Sequence, residues 1–150
     1  MTSKNPTINT KAFSLLELLI LIVLIGIIAG IAIPGFHNYI EKQRARNAQY
    51  NLVLIYQAQK RYKLDSSDSV YCLPGICSCS NTQEINESLG LNIKDPYFEY
   101  NISKSGIDGF TAIATRISPG PEGCAGKTMS VTEQSSQAVV GAHAGGDCSW

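Results

Sequence analysis

Net charge is what this sequence lacks. Its 150 residues carry 12 Lys and Arg against 12 Asp and Glu, so the net charge is zero. Without a basic excess there is no overall field to draw in a polyanion, and nucleic acid is not an expected partner. The local clusters Lys42, Arg44 and Arg46, and Lys60 with Arg61, read as solvated helix faces. Histidine is scarcer, with two in the chain. His37 follows Pro34 and reads as an interfacial or packing residue. His143 lies in "GAHAGGDC" near Asp147 and Cys148, at a spacing that matches no standard zinc motif. Asp95, Glu99 and Asp108 fall at turns or strand ends and form nothing like an EF-hand loop. Tyr50, Tyr56, Tyr62, Tyr97 and Tyr100 read as packing residues of a small domain. No catalytic residue, metal site or cofactor is expected, and the chain does not read as an enzyme.

Apolar residues, by contrast, are concentrated. Phe13 to Ile33 is one block of Leu, Ile, Val, Ala and Gly, interrupted by Ser14 and Glu17. About 21 residues of helix reach about 30 Å, the thickness of a bilayer core. Cleavable secretory signals have shorter apolar cores of about 7–15 residues. Lys4 and Lys11 precede the block while Lys42, Arg44 and Arg46 follow it, so charge counting does not orient it. An acid at membrane depth costs about 2.5–3.5 kcal/mol on insertion scales, so Glu17 needs a partner.

Residues 1–12 are polar, contain Pro6 and lack periodicity. A helix is expected from Phe13 to about Lys63, with an apolar part over 13–35 and an amphipathic part over 36–64. Gly26 and Gly30 each weaken a helix by about 1 kcal/mol relative to Ala. Pro34 removes a backbone donor. The stretch from Gly26 to Pro34 is therefore the expected helix break. Beyond it, Phe36, Ile40, Ala48, Leu52, Ile55 and Tyr62 make one apolar strip, and Tyr50, Leu54 and Ala58 a second. "LDSSDS" ends the pattern. The remaining residues, 65–150, read as a head. "NTQEINESLG" reads as a short helix capped by Asn81 or Thr82 and ended by Gly90. "YFEYNI", "GFTAIATRI", "TMSVT" and "SQAVVGA" read as strands separated by the turn signals "SGIDG" and "SPGPEGCAGK". The expected fold is α+β: a long helix packed on a small antiparallel meander of three or four strands.

Lys11, Ala12, Phe13, Glu17 and Pro34 together resemble the N-terminal motif of type IV prepilins and of the pseudopilins of type II secretion systems. That motif has a short basic leader, a small residue before the cut, Phe after it, Glu four residues beyond that Phe, and Pro at the far end of the apolar helix. Ala12 stands where the family usually has Gly. The match covers about the first quarter of the chain; the head agrees in general plan. The resemblance implies that residues 1–12 are a leader, and that a prepilin peptidase cuts between Ala12 and Phe13 and N-methylates Phe13. It implies a single-pass inner-membrane precursor, drawn by an assembly ATPase and a platform membrane protein into a homopolymer filament with minor pilins. Glu17 would then set register by meeting the α-amino group of Phe13 on an adjacent subunit, since a carboxylate and an ammonium attract strongly in a low-dielectric core. The destination is an extracellular pilus or a periplasmic pseudopilus. A third reading is a periplasmic binding or enzymatic domain on a simple anchor. It leaves Glu17 and the two-faced helix unexplained.

All five cysteines, Cys72, Cys77, Cys79, Cys124 and Cys148, follow the apolar block. This suits a head in an oxidising compartment. Cys124 and Cys148 span the final strands in the manner of the bridge that closes a C-terminal loop in many pilins. Cys72 is expected to pair with Cys77 or with Cys79, and the odd count leaves a thiol over.

Overall fold

A computed structural model of the chain describes residues 14–117 and 124–141, with backbone alone at 31–38. Its elements are α1 (Leu15–Asp65), α2 (Thr82–Leu89), β1 (Phe98–Ser105), β2 (Gly109–Arg116), β3 (Thr128–Thr132) and β4 (Ser135–Val140). The strands form one antiparallel sheet in the order β1-β2-β3-β4. The fold is α+β, with a four-stranded meander. The chain divides into two units, 1–37 and 38–150.

In the first unit α1 is helical through Gly26, Gly30 and Pro34. Side chains 14–30 are all exposed. Among the described residues no helix is long and apolar enough to cross a membrane. The described side chains stop at Gly30, short of the Phe13–Ile33 block and of the roughly 20 residues a span needs.

The second unit has its own core. Along α1, Ala45, Ala48, Leu52 and Ile55 are buried, with Glu41 and Gln59 continuing the same face at either end. These positions recur every three or four residues, the spacing of one helix face. The other expected strip is only partly covered, and Tyr50 is exposed. The sheet supplies the facing layer: Phe98, Tyr100 and Ile102 from β1, Phe110, Ala112 and Ala114 from β2, and Met129 and Val131 from β3. Alternate residues of a strand share a face, so each strand contributes every second side chain. The Tyr71 and Phe110 rings meet edge-on, with centroids 4.9 Å apart.

Local signals set the connections. Asn81 caps α2, its side chain accepting from Glu84 N, and Gly90 ends it in the left-handed region at φ 66°, as helix-stop chemistry requires. In the β1–β2 hairpin Ser105 pairs with Gly109. A Cβ on Gly109 would lie 2.6 Å from the Ser105 carbonyl oxygen, so this close pairing requires glycine.

Candidate functional site

Glu17 lies in the first turn of α1, where the positive end of the helix dipole favours an acid. Around it Leu15, Leu16, Leu18, Leu19 and Ile20 are all more than half exposed. Among the described residues nothing covers this surface, and burying a Leu or Ile side chain stabilises by about 1.5–3 kcal/mol. A Cβ placed on Gly26 or Gly30 would have no heavy atom within 4 Å. Among the described residues neither glycine is required by packing. Ala12 and Phe13, the expected cleavage and methylation positions, lie outside the described residues, so the Glu17–Phe13 pair has only its Glu17 half on view. Pro34 and His37 are described by backbone alone, and His143 lies outside.

The head carries a buried ionic cluster. Arg116, 1% exposed, points inward from the end of β2. Its Nη2 donates to Glu41 Oε1 at 3.1 Å and its Nε to Glu41 Oε2 at 3.4 Å. Its Nη1 donates to the Tyr97 carbonyl at 3.1 Å. Arg44, one turn along α1, donates to the same Glu41 Oε1. The Arg44 guanidinium also covers the Tyr97 ring, 3.9 Å from its centroid, a favourable cation–π distance. Two guanidiniums thus share one carboxylate and one ring. Sequence reasoning left this cluster out, although its signals were present. Arg116 alternates in phase with Phe110, Ala112 and Ala114, and Glu41 lies in phase with Ala45, Ala48 and Leu52.

A second polar group joins α1 to β1. Tyr100 donates its hydroxyl to Asp95 Oδ2 at 2.6 Å, while Asn51 Nδ2 donates to that hydroxyl at 3.0 Å. Burial, and then the hydrogen bond to Asp95, hold the Tyr100 phenol above its ordinary range. At another point Lys60 donates to the Tyr71 hydroxyl at 3.0 Å, and Tyr71 donates to Glu133 at 3.0 Å. The bond to Tyr71 is the main reason that the Lys60 ammonium titrates higher than usual.

The cysteine-rich loop is tied to α1 by Gln59. This buried amide donates to the Cys72 carbonyl at 2.8 Å and accepts from the Cys72 N–H at 3.0 Å, which satisfies both backbone groups. Cys72 is bridged to Cys77, with Cα atoms 5.4 Å apart. Of the two expected partners for Cys72 the structure pairs Cys77, and Cys79 is a buried free thiol. The sulfurs of all three lie within 4.8 Å of one another. These are the donors that could hold a soft metal ion, but two of them are committed to the bridge. Cys124 is buried and disulfide-bonded. Its expected partner Cys148 lies outside the described residues.

No family model and no solved structure matches the chain. Curated relatives do. The chain is 40% identical over 58 residues to the type IV major pilin protein PilA of Myxococcus xanthus, covering 39% of this chain and 26% of that protein. It is 34% identical over 65 residues to type IV major fimbrial proteins FimA of Dichelobacter nodosus, covering 43% of this chain and 42% of theirs. The chain thus spans less than half the length of the curated relatives it matches. The motif at Ala12, Phe13, Glu17 and Pro34 and these relatives point the same way, and the family that this chain resembles is that of the type IV pilins.

Proposed function

We propose that this chain is a structural subunit of a type IV pilus. The observation that carries the reading is the uncovered apolar helix from Leu15 to Gly30 with a single acid, Glu17, near its start. Such a surface suits two successive environments, a bilayer before assembly and the core of a filament after it. Cleavage between Ala12 and Phe13 exposes a new α-amino group, and methylation of Phe13 follows. In the filament that amine meets Glu17 of a neighbour. The pair excludes wrong registers because a slipped subunit leaves a charge unpaired in an apolar core. The head, residues 65–150, then forms the outer surface, held at its C-terminal end by a Cys124–Cys148 bridge. Such a loop of about 25 residues stabilises by roughly 3–4 kcal/mol on the chain-entropy model. The role is structural rather than catalytic, and the relatives' names support it. The prepilin peptidase, assembly ATPase, platform protein, minor pilins and inner membrane are partners of that cycle.

Electron microscopy with antibody to the head, joined to the intact mass of membrane-extracted protein, tests this. Surface filaments that carry the head, built from chains that begin at methylated Phe13, are expected. A chain that begins at Phe13 but forms no surface filament would mark a secretion pseudopilin. A chain that begins after Ala32 would mark an ordinary signal sequence and end the pilin reading.

A further inference from the structure

Cys72, Cys77 and Cys79 bring three sulfurs within 4.8 Å of one another, and their surroundings differ. Cys72 and Cys79 are both fully buried, whereas Cys77 is partly exposed. The backbone of Cys72 is held by Gln59 on both sides. Cys79 is held by the sheet, its carbonyl accepting from Ile102 N at 3.0 Å. Cys77 lies at the end of the small turn Leu73–Cys77, with Pro74, Gly75 and Ile76 all exposed. Two sulfurs are thus fixed in the core and the third rides on a surface turn.

We propose that Cys79 exchanges with the Cys72–Cys77 bridge, making Cys77 a latent surface thiol that takes low-molecular-weight disulfides. In the first step the Cys79 thiolate attacks Cys72 Sγ. The Cys72–Cys77 bond breaks, a Cys72–Cys79 bond forms, and Cys77 leaves as the thiolate that takes up the proton Cys79 gave. There is one bridge and one thiol before and after, so no oxidant is consumed. In the second step the Cys77 thiolate attacks a small disulfide, forming a mixed disulfide on Cys77 and releasing one thiolate. Attack on Cys72 is favoured over attack on Cys77, because a bridge from Cys77 to Cys79 would close a very short, stiff ring. At rest the Cys79 thiol faces the Ile102 carbonyl at 3.9 Å. Burial, and then Glu84, push its titration upward. The thiolate is the reactive form, so exchange is slow at neutral pH and faster as pH rises. The inference stands whether or not the chain polymerises.

The test uses the full-length protein extracted in detergent, its bridges intact, incubated with oxidised glutathione at mildly alkaline pH. Peptide mapping under acidic, non-reducing conditions then locates every sulfur. Glutathione on Cys77 together with a Cys72–Cys79 linkage is the expected result, and Cys79→Ser should abolish it. Glutathione on Cys79 with the Cys72–Cys77 bridge retained, or uptake on Cys77 that persists in Cys79→Ser, would overturn the proposal. So would an absence of uptake at all three. A second variant, Cys77→Ser, should form the Cys72–Cys79 bridge directly under air, and free thiols at both positions would count equally against it.

Discussion

Arg116 and Glu41, 75 positions apart in the chain, meet through two hydrogen bonds of 3.1 and 3.4 Å inside the head. The contact fastens the sheet to the helix where the helix enters the head, and Arg44 and the Tyr97 carbonyl complete it. Such a pair stabilises little in net terms against an apolar replacement, because both charges were desolvated to make it. Removing one partner is different, since it strands the other charge. Arg116→Ala is expected to destabilise the head by about 3–5 kcal/mol. The double variant Glu41→Leu, Arg116→Met should recover much of that loss. Denaturant midpoints of the three proteins in detergent decide it, and a double variant no more stable than Arg116→Ala would contradict this account.

Alkaline pH should loosen the head through Tyr100. The unfolded tyrosine ionises near pH 10, while the folded one keeps its proton to higher pH. Below about pH 10 both states are protonated and this group adds no slope. Above it the unfolded state sheds a proton that the folded state retains, so stability falls as pH rises. Lys60 acts in the same direction, because its raised value means that its contribution is present below about pH 10.4 and lost as pH climbs through the folded value. Tyr100→Phe should have a lower midpoint at neutral pH but a flatter decline above about pH 10. Parallel slopes for the two proteins would rule out Tyr100 as the source.

Glu17→Ala separates insertion from assembly. The change replaces an exposed acid on an otherwise apolar segment, so membrane insertion should be unimpaired or improved. Filament yield should drop to little or nothing, since the Phe13 amine loses the partner proposed for it. Filaments in normal amount from this variant, measured by shearing and immunoblot, would show that the charge pair does not set register.

In the assembled filament the helix should stretch or melt between Gly26 and Pro34. The single chain keeps this segment helical. Yet two glycines and a proline make it the weakest part of α1, and among the described residues a Cβ added at either glycine would meet nothing beyond the local helix backbone within 4 Å. Gly26→Ala with Gly30→Ala adds about 2 kcal/mol of helix preference and should leave the lone subunit intact while impairing assembly. Density for an unbroken helix through Pro34 in a filament map would disprove the idea.

Much of this protein was legible because its signals are local. An unbroken apolar run, three- and four-residue steps from Ala48 to Ile55, the Asn81 and Gly90 caps, and strict alternation from Phe110 to Arg116 each follow from the geometry of a single element. Together with the motif around Phe13 and Glu17 they were enough to indicate an α+β fold and a resemblance to the type IV pilins. Three features depended on the tertiary structure. Glu41 and Arg116 occupy apolar faces, and their pairing depends on how the helix lies on the sheet. Gln59 is an ordinary polar residue in sequence, and only the path of the cysteine-rich loop places it against Cys72. Cys77, on the turn Leu73–Cys77, bridges to Cys72, while the Cys79 backbone is tied to Ile102 of β1, a difference that sequence spacing does not carry. Local periodicity says which residues are buried, but a contact between distant positions depends on the directions in which two elements project their side chains, and that is settled only when the elements pack.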